Sequence, residues 1–185
     1  MKVNKNKEKI SNTRRGGHSS KADQIHEVLM EFGVNFVSGV PCGVLRQIIE
    51  NFEVEERVLH LPANRESEAV GLAVGAYLGK RTPVVYMQNS GLFSSSNDIA
   101  SLVIPYKIPI LFIVSYRGCP GEDAIQHLAT GQATETLIRS LGLPFLILDS
   151  KKEIKTQIRS VLEDMSRKKL PSFLLLKRGW QDEHE

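Results

Sequence analysis

A three-layer αβα domain on a doubly wound, six-stranded parallel sheet is the α/β fold that this sequence predicts. Three observations carry that expectation. Short apolar segments alternate with longer amphipathic ones from residue 22 onward. Cores such as Ile110-Leu-Phe-Ile-Val114 and Phe173-Leu-Leu-Leu176 are apolar throughout instead of at every second residue, which marks strands covered on both faces. No repeat or linker interrupts the alternation, and 185 residues suffice for one sizeable core.

Taken in order, the helices are expected near 22–33, 43–52, 65–80, 96–105, 130–141 and 151–168. The strands fall between them at 36–41, 57–63, 83–89, 109–115, 144–149 and 172–177. The last helix shows its period most clearly: Ile154, Ile158, Val161, Leu162 and Met165 recur on one face, with lysines and arginines opposite. The helix at 65–80 is unusual in its small residues, Ala69, Gly71, Ala73, Gly75 and Ala76. A glycine inside a helix costs about 1 kcal/mol relative to alanine, so two of them imply close approach by another backbone or a partner chain. Asn64 is the expected N-cap there, and Glu66 complements the macrodipole in the first turn. In a parallel sheet of this kind, function gathers in the loops after the strands, here near Val40, Ala63, Asn89, Ser115 and Asp149.

The net charge of +3 is a property of the N-terminus. Residues 1–21 hold seven of the 24 basic residues and one of the 21 acids, Glu8, which leaves 17 basic and 20 acidic residues and a body near −3. These 21 residues read as a basic flexible tail and 22–185 as the folded domain. The tail has no aromatic side chain for stacking, so no nucleic-acid partner is expected. No apolar run reaches the ~20 residues that span a bilayer and no secretory signal is visible, so a cytoplasmic protein with no membrane partner is expected. Cys42 and Cys119 form no CxxC and lie in no zinc-ligand pattern, as free thiols of a reducing compartment would. Neither a GxGxxG fingerprint nor a GxSxG elbow occurs. Gly75-Ala-Tyr-Leu-Gly79-Lys80 is too short for a phosphate loop and ends a helix instead of opening one.

Four loop segments stand out: Gly39-Val-Pro-Cys-Gly43, Asn64-Arg-Glu-Ser-Glu-Ala-Val-Gly-Leu-Ala-Val-Gly-Ala-Tyr-Leu-Gly79, Met87-Gln-Asn-Ser-Gly-Leu92, and Ser115-Tyr-Arg-Gly-Cys-Pro-Gly121 with Gln126-His127 and Gly131 after it. Singly, each is ordinary turn or capping chemistry. Together they follow strands of one sheet, where they converge.

With these motifs the chain resembles the sulfopyruvate and phosphonopyruvate decarboxylases, which are thiamine diphosphate enzymes, from about residue 24 to 178. Glu66 stands nine residues before Gly75, the spacing of the glutamate helix in that family. The resemblance implies that Glu66 hydrogen-bonds the aminopyrimidine of the cofactor and so activates its thiazolium carbon for attack on a 2-oxo acid. It places Pro41, Asn89 and Gly91 beside the cofactor. Cys42, Ser90, Arg117 and Gln126 fall beside the substrate, and His127 has a catalytic, proton-relaying role. The diphosphate–magnesium motif, Gly-Asp-Gly followed by a distant Asn, is missing. Thiamine diphosphate and Mg2+ are therefore expected to be held largely by a β subunit, in an α2β2 or larger heteromer. The implied reaction is the decarboxylation of a small anionic 2-oxo acid, phosphonopyruvate or sulfopyruvate, to the aldehyde and CO2. The chain departs from the family where Phe93 and Ser94 follow Leu92 in place of Gly-Asn. The alternatives are a non-catalytic or regulatory module that kept the fold, which Phe93 favours, and half of another thiamine diphosphate enzyme.

Overall fold

The computed structural model describes residues 19–122 and 124–182. The basic tail thus lies outside the described residues, save for Ser19, Ser20 and Lys21.

Ser20 starts the first helix, α1 (Lys21–Glu31), with a reciprocal cap. Its Oγ accepts from the Asp23 N–H at 3.1 Å and its own N–H donates to the Asp23 carboxylate at 3.2 Å. Gly33, at φ +84°, ends the helix in the left-handed region that glycine adopts freely. Strand β1 (Phe36–Gly39) leads through a 3-10 turn, Gly43–Leu45, into α2 (Arg46–Val54). Then come β2 (Leu59–Pro62), α3 (Glu66–Leu78), β3 (Pro83–Gln88), α4 (Asn89–Ser94) and α5 (Ser96–Asp98), which continues as a π turn, Ile99–Val103. The remainder is β4 (Leu111–Tyr116), α6 (Ile125–Ser140), β5 (Phe145–Ile147), α7 (Ile154–Lys168) and β6 (Ser172–Lys177).

The six strands form one sheet in the order β2-β1-β3-β4-β6-β5, every pair parallel. Their apolar residues divide by parity. Val84, Tyr86, Leu111, Ile113, Leu174 and Leu176 pack on one face with Ile25, Phe52 and Leu162, from α1, α2 and α7. Val85, Met87, Phe112, Val114, Phe173 and Leu175 pack on the other with Val70, Ile99 and Ile138, from α3, the π turn and α6. Strands buried on both sides explain why the apolar runs do not alternate. The expected three-layer, six-stranded parallel fold is what the chain adopts.

Some local details differ from expectation. The helix expected at 96–105 is found at Ser96–Val103, but a further short helix, Asn89–Ser94, directly follows β3, so Ser90 and Gly91 are helical. The helix expected at 130–141 begins at Ile125, which moves Gln126 and His127 from a loop onto its first turn, with no glycine or proline between 122 and 130 to prevent it. Asn64 does not cap α3: Arg65 occupies that position without a side-chain bond, and Glu68 instead reaches back to accept from the Asn64 N–H at 2.9 Å. Finally, among the described residues nothing comes within 4 Å of a Cβ placed on Gly71 or Gly75, so of the two neighbours expected there, another backbone or a partner chain, the first is not found among them.

Candidate active site

The motif residues collect at the carboxyl edge of the sheet, as its topology dictates. Glu66 is the first residue of α3, just past β2, and is half-buried. Its carboxyl group lies flat on Gly91, in the first turn of α4 past β3. A Cβ on Gly91 would overlap the Cγ, Cδ and Oε1 of Glu66, so any larger residue there would displace the Glu66 side chain. The Ser94 hydroxyl lies 3.5 Å from Glu66 Oε2 but is already held by the Gly91 carbonyl at 2.9 Å. One side of the carboxyl group is therefore fixed by packing and the other is open to an external partner.

Beside it runs a chain of polar contacts. The Cys42 thiol, in the loop past β1, is 3.2 Å from the buried hydroxyl of Ser115 and 4.0 Å from Gln88 Oε1. The Gln88 amide in turn donates to the Ser90 hydroxyl at 2.9 Å. Sequence reading gave roles to Cys42 and Ser90 but none to Gln88 or Ser115, although both stand in the motifs. The signal was present: both are polar residues at the ends of otherwise apolar strands that are covered on both faces.

Asn89 is fully buried, and its amide is used within the chain. Nδ2 donates to the Arg117 carbonyl at 2.8 Å and to Thr134 Oγ1 at 2.9 Å, while Oδ1 accepts from the Arg117 N–H at 3.3 Å. It ties the ends of β3 and β4 to α6. Two glycines complete that junction. Gly118 (φ +69°) and Gly131 meet backbone to backbone, with no room for a Cβ on either.

Arg117 enters the site with its own counter-ion. Its Nε is 2.6 Å and its Nη2 2.5 Å from one oxygen of Glu122, whose other oxygen accepts from the Gly118 N–H at 2.8 Å. The two side chains are only 20% and 4% exposed. The guanidinium hydrogen bond holds the Glu122 carboxyl below its ordinary value, against burial, which acts the other way. A depressed carboxyl contributes stability above its unfolded pKa and loses it as pH falls through the folded value. The thermal-stability difference between the wild type and Glu122→Gln is therefore expected to be present at neutral pH and to vanish in acid below the glutamate range. Parallel melting curves at both pH values check this, and a difference that persists in acid contradicts it.

Pro41 is exposed in the β1 loop, Gln126 is exposed on the first turn of α6, and His127 is half-buried next to it. Among the described residues no hydrogen bond joins these three side chains to Glu66 or Cys42. Both cysteines are free, and burial pushes the Cys119 thiol up. No described helix is long and apolar enough to cross a membrane.

Comparison with known proteins places the chain in a family. No protein-family model matches the chain. Sulfopyruvate decarboxylase subunit alpha of Methanococcus maripaludis is 35% identical over 155 residues, 84% of this chain and 93% of that one. The protein of the same description from Methanothermobacter thermautotrophicus is 36% identical over 74% of this chain and 83% of its own. Phosphonopyruvate decarboxylase of Streptomyces viridochromogenes is 34% identical over 82% of this chain, yet the match spans only 38% of that longer protein. Among solved structures, 2-oxoglutarate:ferredoxin oxidoreductase of Magnetococcus marinus superposes on 88% of this chain and 29% of its own, with a TM-score of 0.67 at 14% identity, a likeness of fold alone. The expected resemblance thus holds over most of the chain: it belongs to the family of the sulfopyruvate decarboxylase α subunits.

Proposed function

We propose that this chain is the α subunit of a thiamine diphosphate-dependent decarboxylase that converts sulfopyruvate or phosphonopyruvate to the aldehyde and CO2 together with a separate β subunit. The observation that carries the reading is the Glu66 carboxyl group seated on Gly91 at the carboxyl edge of the sheet. An acid fixed on one side and open on the other suits a ring nitrogen that must be held and protonated. Bound thiamine diphosphate would supply the electron sink for loss of CO2. Glu66 would hold the proton at the cofactor's pyrimidine, Gly91 would keep that surface flat, and Asn89 would fix the β3 and β4 ends around it. Cys42 and Ser90, joined through Gln88 and with Ser115 behind, would line the substrate side. His127 would exchange the product proton. The diphosphate and Mg2+ fall to the partner.

Support for a partner comes from the surface around α3. Gly71 and Gly75 face outward with nothing against them. Beside them Leu59 on the edge strand β2 is 41% exposed and Leu78 is 71% exposed. A strip of small and apolar residues next to the catalytic acid is what a second chain would cover.

Two experiments test the reading in the assembled enzyme. Gly91→Ala is expected to lower kcat about 10-fold or more with the fold retained, because displacing a reacting group by ~1 Å costs on the order of 10²-fold. Unchanged kcat would show that Glu66 works from another position. The anionic 2-oxo acids are expected to exceed pyruvate in kcat/KM by at least ~10-fold, the scale of one charge-assisted hydrogen bond. Equal values would point to a smaller or more apolar substrate, with Phe93 narrowing the site.

A further inference from the structure

The carboxyl edge continues past Arg117 into a cavity of about 530 Å3 that the motifs line only through Gly43 and Arg117. Its walls include Gly43 and Val44 from the turn after β1, Arg117 from the end of β4, and Arg178, Gln181 and Asp182 from the turn after β6. That last turn is built, not loose. Gly179 takes a left-handed φ of +75°, and the Asp182 N–H donates to the Gly179 carbonyl at 3.0 Å. Trp180 is 3% exposed, and its indole N–H donates to the Val44 carbonyl at 3.0 Å. Gln181 reaches the same carbonyl at 3.3 Å. The β6 turn is thereby clamped onto the turn that carries Cys42.

Two guanidinium groups face this space. Arg117 gives Nε and Nη2 to Glu122, which leaves Nη1 without a protein partner among the described residues. Arg178 is exposed, and among the described residues no hydrogen bond or ion pair engages it. Asp182 stands on the same wall, Glu122 lies behind Arg117, and the Lys21 ammonium donates to the Asp182 carbonyl at 2.5 Å, so these five charges sum to +1. The cavity offers planar, oxyanion-matching donors without a large positive excess. A singly charged tetrahedral oxyanion suits that balance better than a doubly charged one.

We infer that the cavity between Arg117 and Arg178 binds the sulfonate group of the substrate, with Arg178 as the residue that selects it. This rests on the decarboxylase reading given above. A sulfonate carries one charge at neutral pH, whereas a phosphonate carries up to two. Of the two acids named for the relatives, the sulfonate is therefore the better fit.

The chain contains a single tryptophan, Trp180, two residues from Arg178. Its fluorescence reports on this cavity in the full chain without partner or turnover. Titration at pH 8 with sulfoacetate is expected to saturate, with phosphonoacetate several-fold weaker and acetate weaker still. Arg178→Gln is expected to weaken sulfoacetate by about 10-fold or more, and Asp182→Asn to tighten it. Phosphonoacetate binding as tightly as sulfoacetate, or sulfoacetate affinity unchanged in Arg178→Gln, overturns the inference. In the assembled enzyme Arg178→Gln should raise KM for sulfopyruvate by a similar factor and leave kcat/KM for pyruvate unchanged. An equal loss on both substrates overturns it as well. An assembly that decarboxylates no 2-oxo acid would defeat the functional reading and leave the titration to decide the cavity. Turnover with a titration indifferent to Arg178 would defeat the cavity alone.

Discussion

Glu66→Gln is expected to lower turnover of the assembled enzyme by at least ~10²-fold, the lower end of general acid–base contributions. Glutamine preserves the size and the packing on Gly91 but cannot exchange a proton. The carboxyl group makes no ion pair among the described residues, and its one polar neighbour at 3.5 Å, Ser94, is already satisfied. Stability should therefore change little, and a kinetic loss would belong to chemistry. Glu68 is the internal control. It lies on the same helix, is exposed, and has a structural task in holding the Asn64 N–H at 2.9 Å. Glu68→Gln should cost some stability and spare turnover. Near-normal rates in Glu66→Gln with a dead Glu68→Gln would place the catalytic acid two residues further on.

The second large effect concerns the cofactor. The isolated chain is expected to bind thiamine diphosphate at least ~100-fold more weakly than its mixture with a β subunit. Most of the affinity for such a ligand resides in the diphosphate and its Mg2+, and the motif that holds them is absent here. On this reading Glu66 would give one hydrogen bond, worth about 1.5–3 kcal/mol if charged. The Streptomyces relatives point the same way, because the stretch they share with this chain is 38% of a longer protein. Calorimetric titration of the chain alone and of the mixture measures this directly. Comparable affinity in both would mean that residues of this chain hold the diphosphate.

The layers were legible because the strand cores at 110–114 and 173–176 are apolar at every position, which only a doubly covered parallel sheet requires. Glu66 and Gly91 were singled out only by family pattern. Nothing in composition or spacing says that Gly91 lies under a carboxyl group 25 residues earlier, because that is a close approach between two helices. Three-dimensional contacts also changed the meaning of residues that were found. Arg117 was placed beside the substrate and is paired with Glu122, five residues on, within a turn whose φ values the sequence does not announce. Asn89 looked like a cofactor contact, and its amide is spent on Arg117 and Thr134. Gln126 and His127 were placed in a loop because the helix start lacks a capping residue: Ala124 holds that position with no side-chain bond. Arg178 and Trp180 escaped notice because no motif reaches past β6, and their significance lies in meeting the turn at Val44 across 136 residues of sequence.

The central claim is that this chain contributes the catalytic acid and a second chain the remainder of the site. Release of CO2 from sulfopyruvate, measured for the purified chain, for a β subunit carrying the Gly-Asp-Gly motif, and for their mixture with thiamine diphosphate and Mg2+, tests it most directly. The account predicts no turnover from either chain alone and robust release from the mixture, abolished when the mixture contains Glu66→Gln. Full activity from this chain by itself, or from the mixture with Glu66→Gln, would contradict it.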